Sequence, residues 1–119
     1  MTRVTIRLDF DAARHLGHGK IRLLELIEAH GSISSAARAM GMSYRRAWLL
    51  ADETNRMFAA PVFATRLGGK GGGQAQLTPF GRDLIDLYRR MESEAAQRFG
   101  AEIDRLEASL AVAAADAGG

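Results

Sequence analysis

Apolar and polar positions alternate near the start of the chain: Val4, Ile6, Leu8 and Phe10 are separated by Thr5, Arg7 and Asp9. A period of two predicts a half-buried strand with those four apolar residues facing the core. The alternation stops at Asp11, and Gly17 and Gly19 predict a turn with a frayed helical start through Lys20. Ile21, Leu23, Leu24 and Ile27 then fit one face of a helix, which Gly31 closes as a left-handed terminal residue. Ser34 is the expected N-cap of a second helix, Ser35 to Met40, with Ala36, Ala37 and Met40 as its small inward face. Gly41 allows a sharp turn. Ser43 caps a third helix running to about Phe58, with Ala47, Leu50, Ala51 and Met57 or Phe58 as core positions. Ala51 and Thr54 are small or polar and predict a loose core there. Pro61 prevents any continuation of the helix.

Pro61 to Arg66 reads as a strand and Gln74 to Leu77 as its return partner, joined by the glycine loop Gly68-Gly69-Lys70-Gly71-Gly72-Gly73. Thr78 followed by Pro79 is a specific helix start, a threonine cap with proline at the first helical position. From there Phe80, Leu84, Leu87, Tyr88, Met91, Ala95, Phe99, Ile103, Leu106 and Leu110 recur every three or four residues. Roughly 30 residues at a helical rise extend about 45 Å. A small domain cannot cover an apolar stripe of that length, so the pattern predicts a homodimer through Leu84, Leu87, Tyr88, Met91, Ala95, Phe99, Ile103 and Leu106. The alternative is a helix folded back on its own domain. Gly100 is a candidate point at which the helix kinks or divides, and the segment after Leu110 is expected to fray.

The order of elements predicts a mainly α fold with a small β wing: a winged helix-turn-helix followed by a long C-terminal dimerisation helix. Residues 1–81 form the expected DNA-binding domain and 82–119 the dimerisation segment. Ser43, Tyr44, Arg45 and Arg46 occupy the first turn of the third helix, where a recognition helix meets base edges and phosphates. Arginine can hold guanine O6 and N7 through a forked pair of hydrogen bonds. Arg45 is the expected base reader, and Arg46 meets base or phosphate. Arg66 and Lys70, with Gly71 and Gly72, would bring the hairpin close to a DNA backbone. Trp48, one turn after Tyr44, either packs beneath the wing or approaches DNA, with packing the favoured reading.

Charge sharpens this picture. The net charge is only +2, but residues 1–81 hold 11 Lys/Arg against 6 Asp/Glu, while residues 82–119 hold 5 against 8. A basic first part and an acidic tail suit nucleic-acid contact in one and self-association in the other. The small net charge argues against a nonspecific architectural DNA binder. At 119 residues, the chain is long enough for a core without staples, and the absence of cysteine removes disulfides and thiolate metal sites. No stretch resembles a signal peptide or a membrane span, so a cytoplasmic protein that does not bind membranes is expected.

Other chemistry lacks its spacing. Lys70 is followed by Gly71 where a phosphate loop needs Ser or Thr, and Gln74 and Gln76 stand where a dinucleotide fingerprint needs glycine. Asp11, His15 and His18 have spacings that could suit a metal, but the nearby glycines favour a solvated turn, so no metal site is expected. Serine, histidine and aspartate form no nucleophile motif, and the expectation is a non-enzymatic protein without a cofactor.

Four motifs carry a family likeness: Gly31-Ser32-Ile33-Ser34, Ser43-Tyr44-Arg45-Arg46-Ala47-Trp48, the glycine run around Lys70, and Leu77-Thr78-Pro79-Phe80-Gly81. Together they resemble the DNA-binding domain of ModE-type molybdate-responsive regulators, a relative of the LysR-type winged helix-turn-helix, over roughly residues 4 to 99. The resemblance implies a dimer on a palindromic operator that controls genes of molybdate uptake or molybdenum enzymes. It places DNA contacts at Ser43, Tyr44, Arg45 and Arg46, backbone contact at Ser34, and the wing at Lys70 and its glycines. ModE-type proteins continue into molybdate-binding domains. No residue of this chain matches their oxyanion ligands, so molybdate or tungstate binding is not expected from this chain alone, and a separate effector-binding protein is a candidate partner. Two further readings stay open: an interaction module that forms mixed dimers with another regulator, and a small oxyanion sensor.

Overall fold

The computed structural model describes residues 2–66 and 73–112. The elements run β1 (Arg7–Asp9), β2 (His15–Gly17), α1 (His18–His30), α2 (Ile33–Met40), α3 (Tyr44–Met57), β3 (Phe63–Arg66), β4 (Gln74–Leu77), α4 (Pro79–Arg98) and α5 (Gly100–Ala108). The architecture is mainly α with two small antiparallel sheets, β1–β2 and β3–β4. Helix α1 is the hub, packing on α2, α3, β4 and α4. Its Ile21, Leu23, Leu24 and Ile27 are fully buried, each side chain contributing about 1.5–3 kcal/mol.

The helix boundaries follow local chemistry. Gly31 closes α1 at φ 80° and donates to the Ile27 carbonyl at 2.8 Å. Gly41 closes α2 at φ 69°, and the paired bonds Gly41 N to Arg38 O and Met42 N to Ala37 O reverse the chain sharply. Ser32, rather than the expected Ser34, caps α2: its hydroxyl accepts from the Ser35 amide at 3.0 Å. Ile33 is therefore already helical and buried, which extends the face of Ala36, Ala37 and Met40 back by one turn. Ser43 caps α3 by accepting from the Arg46 amide at 3.1 Å. Ala36 and Ala37 of α2 and Ala47 and Ala51 of α3 are all buried where the two helices meet. Ala51 and Thr54 are both buried, at 0% and 1% exposure, with the Thr54 hydroxyl donating to the Leu50 carbonyl at 2.8 Å.

The N-terminal region departs from its pattern. Residues 15–17, expected as a turn, form β2, with Leu8 opposite Leu16, and α1 begins at His18. Leu16 is buried, whereas Phe10, expected in the core, is 51% exposed and makes a T-shaped contact with Phe58, ring centres 6.1 Å apart. Lys20 is buried as well. Its ammonium donates to the His15 carbonyl at 2.9 Å and lies 3.6 Å from Glu53 of α3.

The C-terminal stretch divides into two helices at Phe99, beside Gly100, where a kink or division is expected. Thr78 caps α4 by accepting from the Gly81 amide at 2.9 Å, with Pro79 in the first turn as expected. Leu84 and Tyr88 of the predicted dimer stripe lie in the protomer's own core, at 7% and 0% exposure. They face inward because α4 packs against α1. Leu87, Met91, Phe99 and Leu106 remain exposed, with Ala95 and Ile103 half-buried. No residue of α5 is buried. The radius of gyration is 17.5 Å, well above the roughly 13.5 Å of a compact chain of this length, with a longest extent of 54 Å.

A polar strut fixes α4 to α1 and the N-terminal segment. Arg89 donates to both Glu25 carboxylate oxygens at 2.9 Å and to Glu92 at 2.6 Å. His18 is held between the Arg3 and Arg89 guanidinium groups, and the Tyr88 hydroxyl donates to the Ile6 carbonyl at 2.5 Å. Hydrogen bonds from Arg89 hold the Glu25 carboxyl below its ordinary range, and burial followed by the two arginines depresses the His18 imidazole.

Protonating His18 or Glu25 therefore favours the unfolded chain, and stability present at neutral pH is lost as the pH falls through each folded-state value. Urea midpoints should drop from about pH 6.5 downward, near the ordinary histidine value, and His18→Gln should flatten that upper part of the curve. An unchanged slope in the variant would place the dependence on other groups. Gly81→Ala provides a packing test, since a Cβ there would lie 2.0 Å from the Val62 carbonyl oxygen. Backbone meets backbone, so the variant should lose about 3 kcal/mol or more in urea unfolding. Gly100→Ala, which meets nothing within 4 Å, should shift stability by about 1 kcal/mol at most.

Candidate nucleic-acid interface

The first two turns of α3 present a run of exposed side chains on a firmly seated helix. Ala47, Ala51, Thr54 and Met57 are buried and fix its inner face. Ser43, Tyr44, Arg45 and Arg46 are all exposed. Neither the Arg45 nor the Arg46 guanidinium has an ion-pair partner among the described residues, whereas the nearby Arg56 is paired with Asp52 at 2.8 Å. The α3 N-terminus adds the partial positive charge of its free amide groups. Because the Ser43 oxygen accepts from the Arg46 amide, its hydroxyl proton remains free to donate to an anionic oxygen.

Trp48 is 41% exposed, so it does not pack as core, contrary to the favoured reading. The adjacent Leu49 is 50% exposed, although sequence patterning singled it out for nothing. Tyr44, Arg45, Trp48 and Leu49 line one open groove along α3 of about 390 Å³. Ser43, Arg45, Arg46, Leu49, Leu50 and Glu53 line a second of about 250 Å³. Arg45 and Leu49 are common to both. Ser34 is half-buried on α2, and its hydroxyl accepts from the Arg38 guanidinium at 3.3 Å; Arg38 also reaches Ser35 at 3.1 Å.

The β3–β4 hairpin is anchored at its base. Phe63 pairs with Leu77 and Arg66 with Gln74. The Ala75 amide donates to the Gly31 carbonyl at 2.9 Å, which joins β4 to the end of α1. Asn55, near the end of α3, accepts from the Val62 and Phe63 amides at 2.6 and 3.3 Å. Sequence reasoning passed over Asn55; its short amide side chain shortly before Pro61 was the available signal. Arg66 is exposed at the outer end of β3. Lys70, Gly71 and Gly72 lie outside the described residues.

The candidate metal residues do not converge. Asp11 bonds Arg14 through its carboxylate at 2.7 Å, and His18 faces two arginines. Among the described residues, no helix is long and apolar enough to cross a membrane.

No protein-family model matches the chain. Individual proteins do. The chain is similar to ModE and Mop proteins. It is 39% identical over 103 residues, 87% of its length, to the molybdenum transport protein ModE of Azotobacter vinelandii, covering 37% of that protein. It is 44% identical over 82 residues to the molybdenum-pterin-binding protein MopB of Rhodobacter capsulatus, covering 69% of this chain and 30% of MopB. It is 44% identical over 69 residues to the DNA-binding transcriptional dual regulator ModE of Escherichia coli K12, covering 58% of this chain and 26% of the regulator. The chain thus spans about a third of the length of these curated relatives.

Removing the Asn55 acceptor leaves two amides at the hairpin base without their partner. Asn55→Ala should cost about 1–3 kcal/mol in urea unfolding. Asn55→Asp, which keeps an acceptor, should recover part of that loss. Unchanged midpoints for both variants would show that the junction is held by packing alone.

Proposed function

We propose that the chain is a winged helix-turn-helix transcriptional regulator that binds operator DNA sequence-specifically as a homodimer and acts in molybdenum metabolism. Helix α3 enters the major groove, α2 supports it, and the β3–β4 hairpin runs beside it along the backbone. The observation that carries this reading is the exposed Arg45–Arg46 pair, without an ion-pair partner among the described residues, at the N-terminus of a helix whose opposite face is sealed into the core. Arg45 reads a guanine edge. Arg46, Ser43, Tyr44 and Ser34 meet bases or phosphates, and Arg66 with Lys70, Gly71 and Gly72 approaches the backbone from the hairpin. Occupancy of the operator is the whole action, without catalysis, in the cytoplasm. The names of the relatives support the molybdenum link, and the regulator from Escherichia coli supports DNA as the partner.

The dimer forms through the exposed remainder of the C-terminal stripe: Leu87, Met91, Phe99 and Leu106, with Ala95 and Ile103 beside them. A two-fold dimer places two α3 helices on one side and matches a palindromic operator. A second reading, a module forming mixed dimers with another regulator, is favoured by the same exposed side chains and would supply a separate effector-binding partner. An oxyanion sensor is the third, and calorimetry with molybdate and tungstate tests it: a flat titration ends it.

Sequencing the genomic fragments retained by the purified chain near physiological salt decides between regulator and interaction module. A recurring palindrome is the expected result; retention without sequence preference would favour the mixed-dimer module. On the recovered operator, Arg45→Ala should lose about 1–3 kcal/mol and relax preference at one position per half-site. Lys70→Ala should weaken all sequences alike and reduce the salt slope by about one. Equal losses on operator and random DNA for both variants would sink this division of roles. Replacing Leu87 and Met91 together by glutamate should move the sedimenting species from dimer to monomer, and a persistent dimer would place the interface elsewhere.

A further inference from the structure

The outer face of α3 carries more apolar surface than contact with water or phosphate requires. Tyr44 is 55% exposed, Trp48 41% and Leu49 50%. At about 100° per residue, Arg45 and Leu49 stack one turn apart on the side opposite Ala47 and Ala51, with Trp48 on their flank. Tyr44, Arg45, Trp48 and Leu49 therefore form one continuous groove wall, with Arg45 its one charged residue. Asp52, a turn further on, is already engaged by Arg56 at 2.8 Å. The groove thus combines a cationic fork, unpaired among the described residues, with an indole and an isobutyl group.

A ligand that fits this wall must be anionic overall and offer strong acceptors next to small apolar groups. The major groove supplies both in one plane: guanine presents O6 and N7, and thymine presents its C5 methyl. The minor groove has no methyl to offer, and phosphates give apolar side chains nothing to cover them. We infer that Trp48 and Leu49 read thymine methyl groups beside the guanine held by Arg45, so the half-site carries thymine within one or two base pairs of that guanine. The inference rests on the DNA-binding reading above and adds a second, apolar source of selectivity to it. Each buried methyl corresponds to about a three- to five-fold gain in affinity, the transfer free energy of one carbon.

The test removes the methyl and nothing else. In the operator recovered from genomic fragments, each thymine is replaced in turn by deoxyuridine. Binding is then measured for the unaltered chain, Trp48→Gln and Leu49→Gln. Both side chains are exposed, and urea midpoints check that the variants remain folded. The unaltered chain should lose about three- to five-fold at one or two positions per half-site. That loss should disappear at one position in Trp48→Gln or Leu49→Gln, while the preference for guanine remains. An operator indifferent to deoxyuridine, or equal losses in the chain and both variants, would overturn the inference and leave operator binding standing. If no operator is recovered at all, the DNA-binding reading itself fails, and the inference fails with it.

Discussion

The carbonyl of Val62 sits where three parts of the molecule meet. It accepts from the Thr78 amide at 3.0 Å and faces Gly81 so closely that no side chain fits between them. The same residue's amide is held by Asn55 of α3, and the Thr78 hydroxyl donates to the Pro61 carbonyl at 2.7 Å while capping α4. One backbone crossing therefore sets the angle between α3, the hairpin and α4. Any surface that uses α3 and the hairpin together inherits its geometry from this junction. Loosening it would let the hairpin swing relative to the helix even if both stayed folded.

A second constraint holds the other side of α4. The Arg89–Glu25 pair is bidentate and only partly exposed, and Glu92 and His18 are the guanidinium's further partners. Among the described residues Glu92 Oε2 is buried without a hydrogen-bond partner, a cost tolerated beside a cation that is multiply bonded. The strut leaves the far end of the molecule alone. Beyond Phe99, α5 buries nothing and carries Leu106 at 69% exposure. The described chain is thus a packed domain whose last helix leaves Leu106 uncovered among charged neighbours.

Much of this was legible in the residues. The period from Ile21 to Ile27, the left-handed glycines at 31 and 41, Ser43, and Thr78 with Pro79 each state a local rule that tertiary packing did not override. What escaped depends on distant partners. β2 needs β1 to exist as a strand, and nothing in residues 15–17 alternates by itself. Ser32, Ser34 and Ser35 are equally good caps in isolation, and only the burial of Ile33 chooses between them. Leu84 and Tyr88 share a stripe with Leu87 and Met91, but a stripe wider than one contact can serve two neighbours, and α1 claims its inner half. At the candidate interface, the exposed tip of α3 was readable from Ser43 to Arg46. The outward turn of Trp48 was not, because an aromatic one turn past a cap suits core and groove equally well.

Trp48 is the chain's single tryptophan, and it stands half in water on the outer wall of α3. The core holds Tyr88 but no indole, so near-ultraviolet emission above the tyrosine band originates from one surface position. Quenching, spectral shift and anisotropy of that emission report events at this groove rather than an average over the fold. The protein carries its own optical probe at the face whose occupancy is in question, and no label need be attached to observe it.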